Sequence, residues 1–484
     1  MSLAKNSFLY LISTLCIKAT SFILLPFYSY LITPEEYGYV YVTSAFVTFM
    51  SLFMIVSLNG AIQRFYFECK NDKEVKALYS NILCIVAIFV ICIGGILLIN
   101  KSKIANLIGL PINYLDYAIY ISMISAFYPL ILSLLYVSEK AKQVSLTSIF
   151  LGIIGIIIQL TMVLNSEDKT LALIQTMLYN AILSFIIFLI YSRKYLTIPN
   201  FNLNKINRYL KYSISQFPSD VSVWFISFSD RILLNKMQGS HDTGIYGMGS
   251  TMGQIPQILF HSVNKAYVPF VFKNFKNHEE GETQALNNVV NATTYLISIL
   301  ACVITTLIIF SNNIIELFAP QFKASAYIMP LILTAIFIDC NRIIFMNSLS
   351  YNIKYIKIKS FIWIFAAISN IGLNLILIPK YSAIGACVSI ITSYSITLLF
   401  ILIYSQKALP VPYEKKKLIK IILFSFFFGM CYFIGDGINA LLIKIPFSIL
   451  YYYFLLKVNH IKLQNIKELC LNSLSQTTKK FQKK

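Results

Sequence analysis

Charge is scarce in this chain. Asp, Glu, Lys and Arg make up 12% of its 484 residues, where a soluble protein carries about 25%. That shortage, with 57% hydrophobic residues and a mean hydropathy of +0.70, excludes an ordinary soluble enzyme. Acids are the scarcer sign, 20 against 40 bases. The nine cysteines form no CxxC and no Cys/His cluster, so they read as apolar filler rather than disulfides or metal ligands. No P-loop, HExxH or GxSxG occurs, and GMGSTMG at 247–253 follows no strand, so it is not a dinucleotide fingerprint. No cofactor and no metal are expected. No cleavable signal peptide is evident, because the first apolar stretch is too long and contains Lys18.

What is present is a series of apolar stretches of membrane-spanning length, about 20 residues each. Fourteen are expected: 8–32, 38–62, 77–99, 114–137, 144–164, 170–191, 212–236, 244–272, 289–310, 326–349, 358–378, 382–404, 418–434 and 439–456. The fold class is an all-α polytopic membrane protein. Only Gly435-Asp436-Gly437 separates the last two stretches, so twelve spans plus a re-entrant hairpin stays open.

The bases are not gathered into one arm, which argues against nucleic acid as a partner. With a cytoplasmic N-terminus, 29 of them fall on inner segments, six in outer loops and five inside spans. That bias fits the positive-inside rule and places both termini in the cytoplasm. Outer loops of at most about a dozen residues leave no room there for a catalytic domain.

The polar segment 192–211 divides the chain into two halves of six spans. The expected organisation is an N-lobe at 1–195, a cytoplasmic linker at 196–211, a C-lobe at 212–406, two further spans within 407–457 and a basic tail at 458–484. The tail reads as an amphipathic helix lying on anionic lipid. An even number of spans in the first half makes the halves parallel repeats. A weak echo supports this: YLITPEEYGYVYV and NKMQGSHDTGIYGMG each place an acid two positions before a glycine, Glu36/Gly38 and Asp242/Gly244. Pro26, Pro129, Pro218, Pro256, Pro269, Pro330 and Pro446 interrupt spans and free backbone carbonyls. The eighth span, with two prolines, is the best candidate for a bend.

Five cations sit inside spans: Lys18, Arg231, Lys265, Arg342 and Lys444. Each costs about 3 kcal/mol or more to insert, so intramembrane cations face a protein interior or a wet cavity. At 1.5 Å per residue, Lys18 lies about 15 Å deep, Asp220 about 12 Å and Lys265 about 10 Å. Asp220 and Lys265 share a depth and are expected to pair. Asp339 and Arg342, three apart, share a helix face and read as a self-neutralising pair. Asp230-Arg231 reads as an interfacial pair and Lys444 as a bundle-facing lysine. Lys18 has no such partner, because spans 1–6 contain no acid besides Asp116 at the mouth of span 4. Arg64 closes the second span. The seventh span is unusually polar and includes Gln216. Gln254, Gln257, His261 and Asn264 form one stripe on the eighth, suited to sugar hydroxyls or to helix–helix hydrogen bonds. The titratable candidates for ion coupling are Asp220, Asp230, Asp339 and His261.

KNSFLYLISTLCIKATSFILLPFYSYLITPEEYGYVYV near the start, SDRILLNKMQGSHDTGIYGMGS at 229–250 and NLILIPKYSAIGACVSIIT at 374–392 together resemble polysaccharide-biosynthesis flippases of the Wzx type. These belong to the multidrug/oligosaccharidyl-lipid/polysaccharide exporter superfamily. The resemblance implies two six-helix lobes around a central cavity and alternating access. The cargo it implies is an undecaprenyl-pyrophosphate-linked oligosaccharide for O-antigen or capsule synthesis at the bacterial inner membrane, with membrane lipids and polymerase machinery as partners. A related branch carries lipid II, has fourteen spans and bears cations on the first lobe's cavity wall. By position Lys18 matches that role, with Arg64 a second carry-over. Lys265 and Arg342 complete the expected pyrophosphate set, with Gln216, Gln254, Gln257 and Asn264 toward the sugar. A lysine supplies charge but not a bidentate fork. An ion-coupled multidrug exporter of the same superfamily is the alternative, disfavoured by the acid-free spans of the first half. A membrane polymerase or glycosyltransferase is disfavoured by the short outer loops.

Overall fold

A computed structural model describes residues 25–199, 202–352, 355–435 and 437–459. Among them the regular structure is entirely helical, with no strand. Helix occupies most of each predicted stretch from 38–62 onward, although the helices over 212–236 and 244–272 are not among those long and apolar enough to cross a membrane. Lys18 lies outside the described residues. Ten helices among them are both long and apolar enough to cross a membrane.

Capping residues set several boundaries. The short helix α1 (Leu25–Leu31) leads to α2 (Pro34–Ile55), which starts at a capping box. Thr33 N–H donates to Glu36 Oε2 at 2.7 Å, and Glu36 N–H donates to Thr33 Oγ1 at 3.3 Å. Val56 and Ser57, both in the left-handed region at φ 46° and 57°, break the second span before α3 (Leu58–Phe65). Asn71 caps α4 (Asp72–Ile99) by accepting Glu74 N–H at 2.9 Å. Then come α5 (Lys101–Ile108), α6 (Ile112–Ser125), α7 (Tyr128–Val137), α8 (Ala141–Asn165) and α9 (Lys169–Ser192). Asp168 caps the last of these through Leu171 N–H.

The polar helix α10 (Leu203–Gln238) begins at Asn202, whose Oδ1 accepts two backbone N–H groups. It is followed by α11 (Ser240–Gly253), α12 (Ile255–Glu279), α13 (Ala285–Ile309), α14 (Ser311–Phe318) and α15 (Ser325–Tyr351). The eighth predicted span is therefore interrupted, at Gly253-Gln254, just before Pro256. α16 (Ile356–Ala408) holds predicted spans 11 and 12, folded back at Ser382, whose φ of 48° and ψ of −131° are not helical. The last helices among the described residues are α17 (Lys415–Gly429) and α18 (Ile438–Val458).

The helices group into two compact units. One comprises the chain up to Met252 with Phe318–Leu331 and Lys357–Thr397; the other comprises Gly253–Leu317, Ile332–Ile356 and the chain from Leu398. The division thus passes through the interrupted eighth span. The first unit has a core of buried apolar residues that includes Phe46, Leu58, Tyr79, Val86, Ile119 and Leu134. Ile88, Ile91, Ile96 and Ile99 on α4 are more than half exposed, which suits contact with lipid tails rather than water. In the second unit α13, α17 and α18 meet around Tyr451 and Phe428. Tyr451 takes part in hydrogen bonds with Ser425 and Thr305, so its buried hydroxyl is satisfied.

Candidate functional site

In the first unit α10 runs beside α2, and their facing residues are aromatic and polar. Trp224 Nε1 donates to Thr48 Oγ1 at 3.1 Å, and its ring lies 4.1 Å from that of Phe49. Phe53 meets Phe217 edge-on at 5.1 Å. Ser57, at the break after α2, donates to Asp220 Oδ2 at 2.6 Å. Asp220 is otherwise exposed, so a carboxylate stands at the broken end of the second span.

About two turns short of the other end of α10 are Asp230 and Arg231, both buried. No direct side-chain ion pair joins them among the described residues; each has other partners. Asp230 accepts from the Tyr246 hydroxyl and, at 2.8 Å, from the Arg231 backbone N–H. The Arg231 guanidinium sits between two rings, 3.8 Å from the centre of Tyr41 and 4.4 Å from that of Phe228. It reaches Ser44 Oγ only at 3.4 Å, and its Nε has no hydrogen-bond partner among the described residues. Two π-faces offset part of the burial of this cation, yet one donor remains unmet.

Beside this pair α2 and α11 touch backbone to backbone. A Cβ on Gly38 would lie 1.9 Å from Ser240 O, and one on Gly244 would lie 1.7 Å from Pro34 O. Only glycine permits so close an approach, and the contact is reciprocal, each helix offering a Cα–H to a carbonyl of the other. Gly38 and Gly244 are the two glycines of the sequence echo. Asp242, the acid of the second copy, accepts from Ser382 Oγ. Gln238 Nε2 donates to Ile378 O at 3.0 Å. The α10–α11 junction thereby holds the fold-back of α16.

In the second unit Arg342 Nε donates to Asp339 Oδ1 at 2.9 Å, both side chains being at most 5% exposed. Gln257 Nε2 donates to Asp339 Oδ2 at 3.1 Å. The expected neutral pair on one helix face is formed. Lys444 is buried and lies 3.5 Å from Asn313 Oδ1, as expected of a lysine facing the bundle.

Known proteins match this arrangement at two levels. A family model described as "Polysaccharide biosynthesis protein" matches residues 3–275, more than half of the chain. The chain belongs to the polysaccharide biosynthesis protein family. A protein of the Lsg locus of Haemophilus influenzae is 26% identical over 368 residues, 72% of this chain and 85% of its own. The fold is that of solved transporters. The lipid II flippase MurJ in an inward closed conformation superposes with a TM-score of 0.73 at 17% identity, over 93% of this chain and 98% of that one. An inward-facing multidrug resistance transporter of the MATE family superposes with a TM-score of 0.60 at 12% identity, over 84% and 96%.

In this family member the predicted residues fall in different settings. Arg64 is exposed and bound to Glu68 at 3.1 Å. Lys265 is exposed on α12, and Gln216 on α10. Gln257 is committed to Asp339. Asn264 is half-buried, with an Oδ1 that lacks a hydrogen bond among the described residues, while His261 is exposed. Asp220 belongs to the first unit and Lys265 to the second, so their pairing stays an expectation. The ring sheath of Arg231 was not foreseen. Its signal was available in the tyrosines and phenylalanines spaced along α2 and α10, which are too common in membrane helices to stand out alone.

Proposed function

We propose that the protein carries a lipid-linked oligosaccharide from the inner to the outer leaflet of a bacterial cytoplasmic membrane by alternating access. The cargo class is an undecaprenyl-pyrophosphate-linked unit of a surface polysaccharide, O-antigen or capsule. The fourteen-span, two-lobe organisation with cytoplasmic termini is part of this reading. The observation that carries it is Arg231: a buried cation with an unmet donor, at the end of the one markedly polar helix. A pyrophosphate would satisfy that donor.

In this reading the Gly38–Gly244 contact is the closed outer end of the path, since both glycines stand where the basic-residue bias assigns the outside. Lys18 near the membrane midplane receives the pyrophosphate, with Arg64 at the inner entrance and Lys265 on α12. Arg342 would join them only by exchanging Asp339 for the cargo. Gln216, Gln254, Gln257 and Asn264 serve the sugar. Asp220, Asp230, Asp339 and His261 are the candidates for coupling to an ion gradient. Lys18→Ala and Lys18→Glu should each abolish surface polysaccharide while protein levels hold. Normal export from both would remove the proposal's basis. Reversing Asp220 and Lys265 singly should impair export, and reversing both should restore it if they pair.

A further inference from the structure

A separate cavity of about 160 Å³ opens at the face that carries the basic clusters, between the α3–α4 connection and the start of α10. Its ionic lining is balanced: Glu68 and Glu74 against Lys205 and Arg208. Glu68 is bound by Arg208 at 2.9 Å and by Arg64 at 3.1 Å, and Arg208 lies 5.0 Å from the centre of the Phe65 ring; the acid is satisfied while Arg208 keeps donors to spare. Glu74 has Oε2 on the Lys70 N–H at 2.9 Å, which leaves its other oxygen for a ligand. Asn81 also lines the cavity; it is only 2% exposed and its Oδ1 has no hydrogen-bond partner among the described residues. A buried acceptor left unmet costs about 1–3 kcal/mol, and a ligand with an N–H or O–H would relieve it.

A balanced lining favours neither a simple anion nor a simple cation. We propose that the cavity binds a phosphoethanolamine-type zwitterion, whose ammonium donates to Asn81 Oδ1 and Glu74 while Lys205 and Arg208 receive its phosphate. Phe67 and Leu203, next in sequence to lining residues, are 75% and 78% exposed. Exposed apolar side chains beside the cavity suit a lipid whose headgroup enters it. The site is distinct from the transport path and does not depend on the cargo proposed above.

The test uses the full-length protein in nanodiscs holding equal amounts of phosphatidylethanolamine, phosphatidylcholine and phosphatidylglycerol, with retained lipid read by native mass spectrometry. Phosphatidylcholine has no N–H to donate, and phosphatidylglycerol has no cation. Phosphatidylethanolamine should be retained about fivefold over either, and the preference should fall to parity in Asn81→Leu and in Glu74→Gln. Glu74 is only half-buried, so its variant guards against misfolding at Asn81. A preference that survives both substitutions, or equal retention of all three lipids without protection of Cys69 by free O-phosphoethanolamine, overturns the proposal. Free O-phosphoethanolamine is tested in nanodiscs lacking phosphatidylethanolamine, by protection of Cys69 from maleimide. Protection without any lipid preference supports the same chemistry with a soluble source. Protection by phosphate alone, to the same extent, overturns it.

Discussion

At the scale of single residues, three ionic groups show how burial decides what a charge can do. Arg231 is held by rings rather than by a carboxylate. The rings offset part of its burial and leave Nε unpaired among the described residues, so on the proposed function Arg231→Ala should lower export about tenfold. Arg231→Lys, which keeps charge but loses the planar stack, should fall between; export assays in a deletion strain measure both. Arg342 differs because Asp339 already neutralises it. Asp339→Asn strands the guanidinium in a buried site, at a cost of about 3–5 kcal/mol, whereas Asp339→Asn with Arg342→Gln should recover most of the loss in thermal unfolding of the detergent-solubilised protein. Cys69, outside the membrane, illustrates a third case. Burial first, and then the Glu74 carboxylate, push its thiol pKa up. The thiolate is the reactive form, so maleimide labelling of Cys69 should be slow at pH 7 and rise as pH passes about 9. Glu74→Gln should speed it, and equal rates at pH 7 and 9 would contradict the assignment.

At the scale of elements, the decisive contact is between α2 and α11. Gly38→Ala or Gly244→Ala places a methyl carbon within 2 Å of a carbonyl oxygen, so the two helices must part. Either variant should make a cysteine introduced at Ser44 label several-fold faster with an impermeant maleimide added from outside. Unchanged labelling with normal export would show that this contact does not gate the path. The sequence already displayed both glycines in matching positions after an acid, which made a repeat legible. It did not display that the two copies touch, because nothing in a single strand of residues reports which helices of a bundle are neighbours. The breaks were partly legible for the same reason. Pro256 marked the interrupted eighth span, but the break after α2 rests on Val56 and Ser57, residue types that rarely adopt a left-handed backbone.

At the scale of the whole molecule, hydropathy and the basic-residue bias were enough to specify a multi-pass helical protein, because a bilayer permits little else for apolar stretches of this length. Among the longer helices α10 to α12 are the least apolar by composition, and that polarity is a signal readable in the sequence. Which cations meet the cargo was less legible. Depth along a helix can be counted, whereas the partners a side chain finds around it depend on packing, as the separate contacts of Asp230 and Arg231 show.

The central claim is that an anionic, lipid-linked glycan crosses the membrane through this protein. It is tested most directly by measuring, in intact cells lacking the chain, how much lipid-linked glycan an impermeant glycosidase can reach. The glycan lipid should accumulate out of reach. Wild-type protein should restore access, and the Lys18→Ala and Arg231→Ala variants should not. Equal access with and without the protein would contradict it.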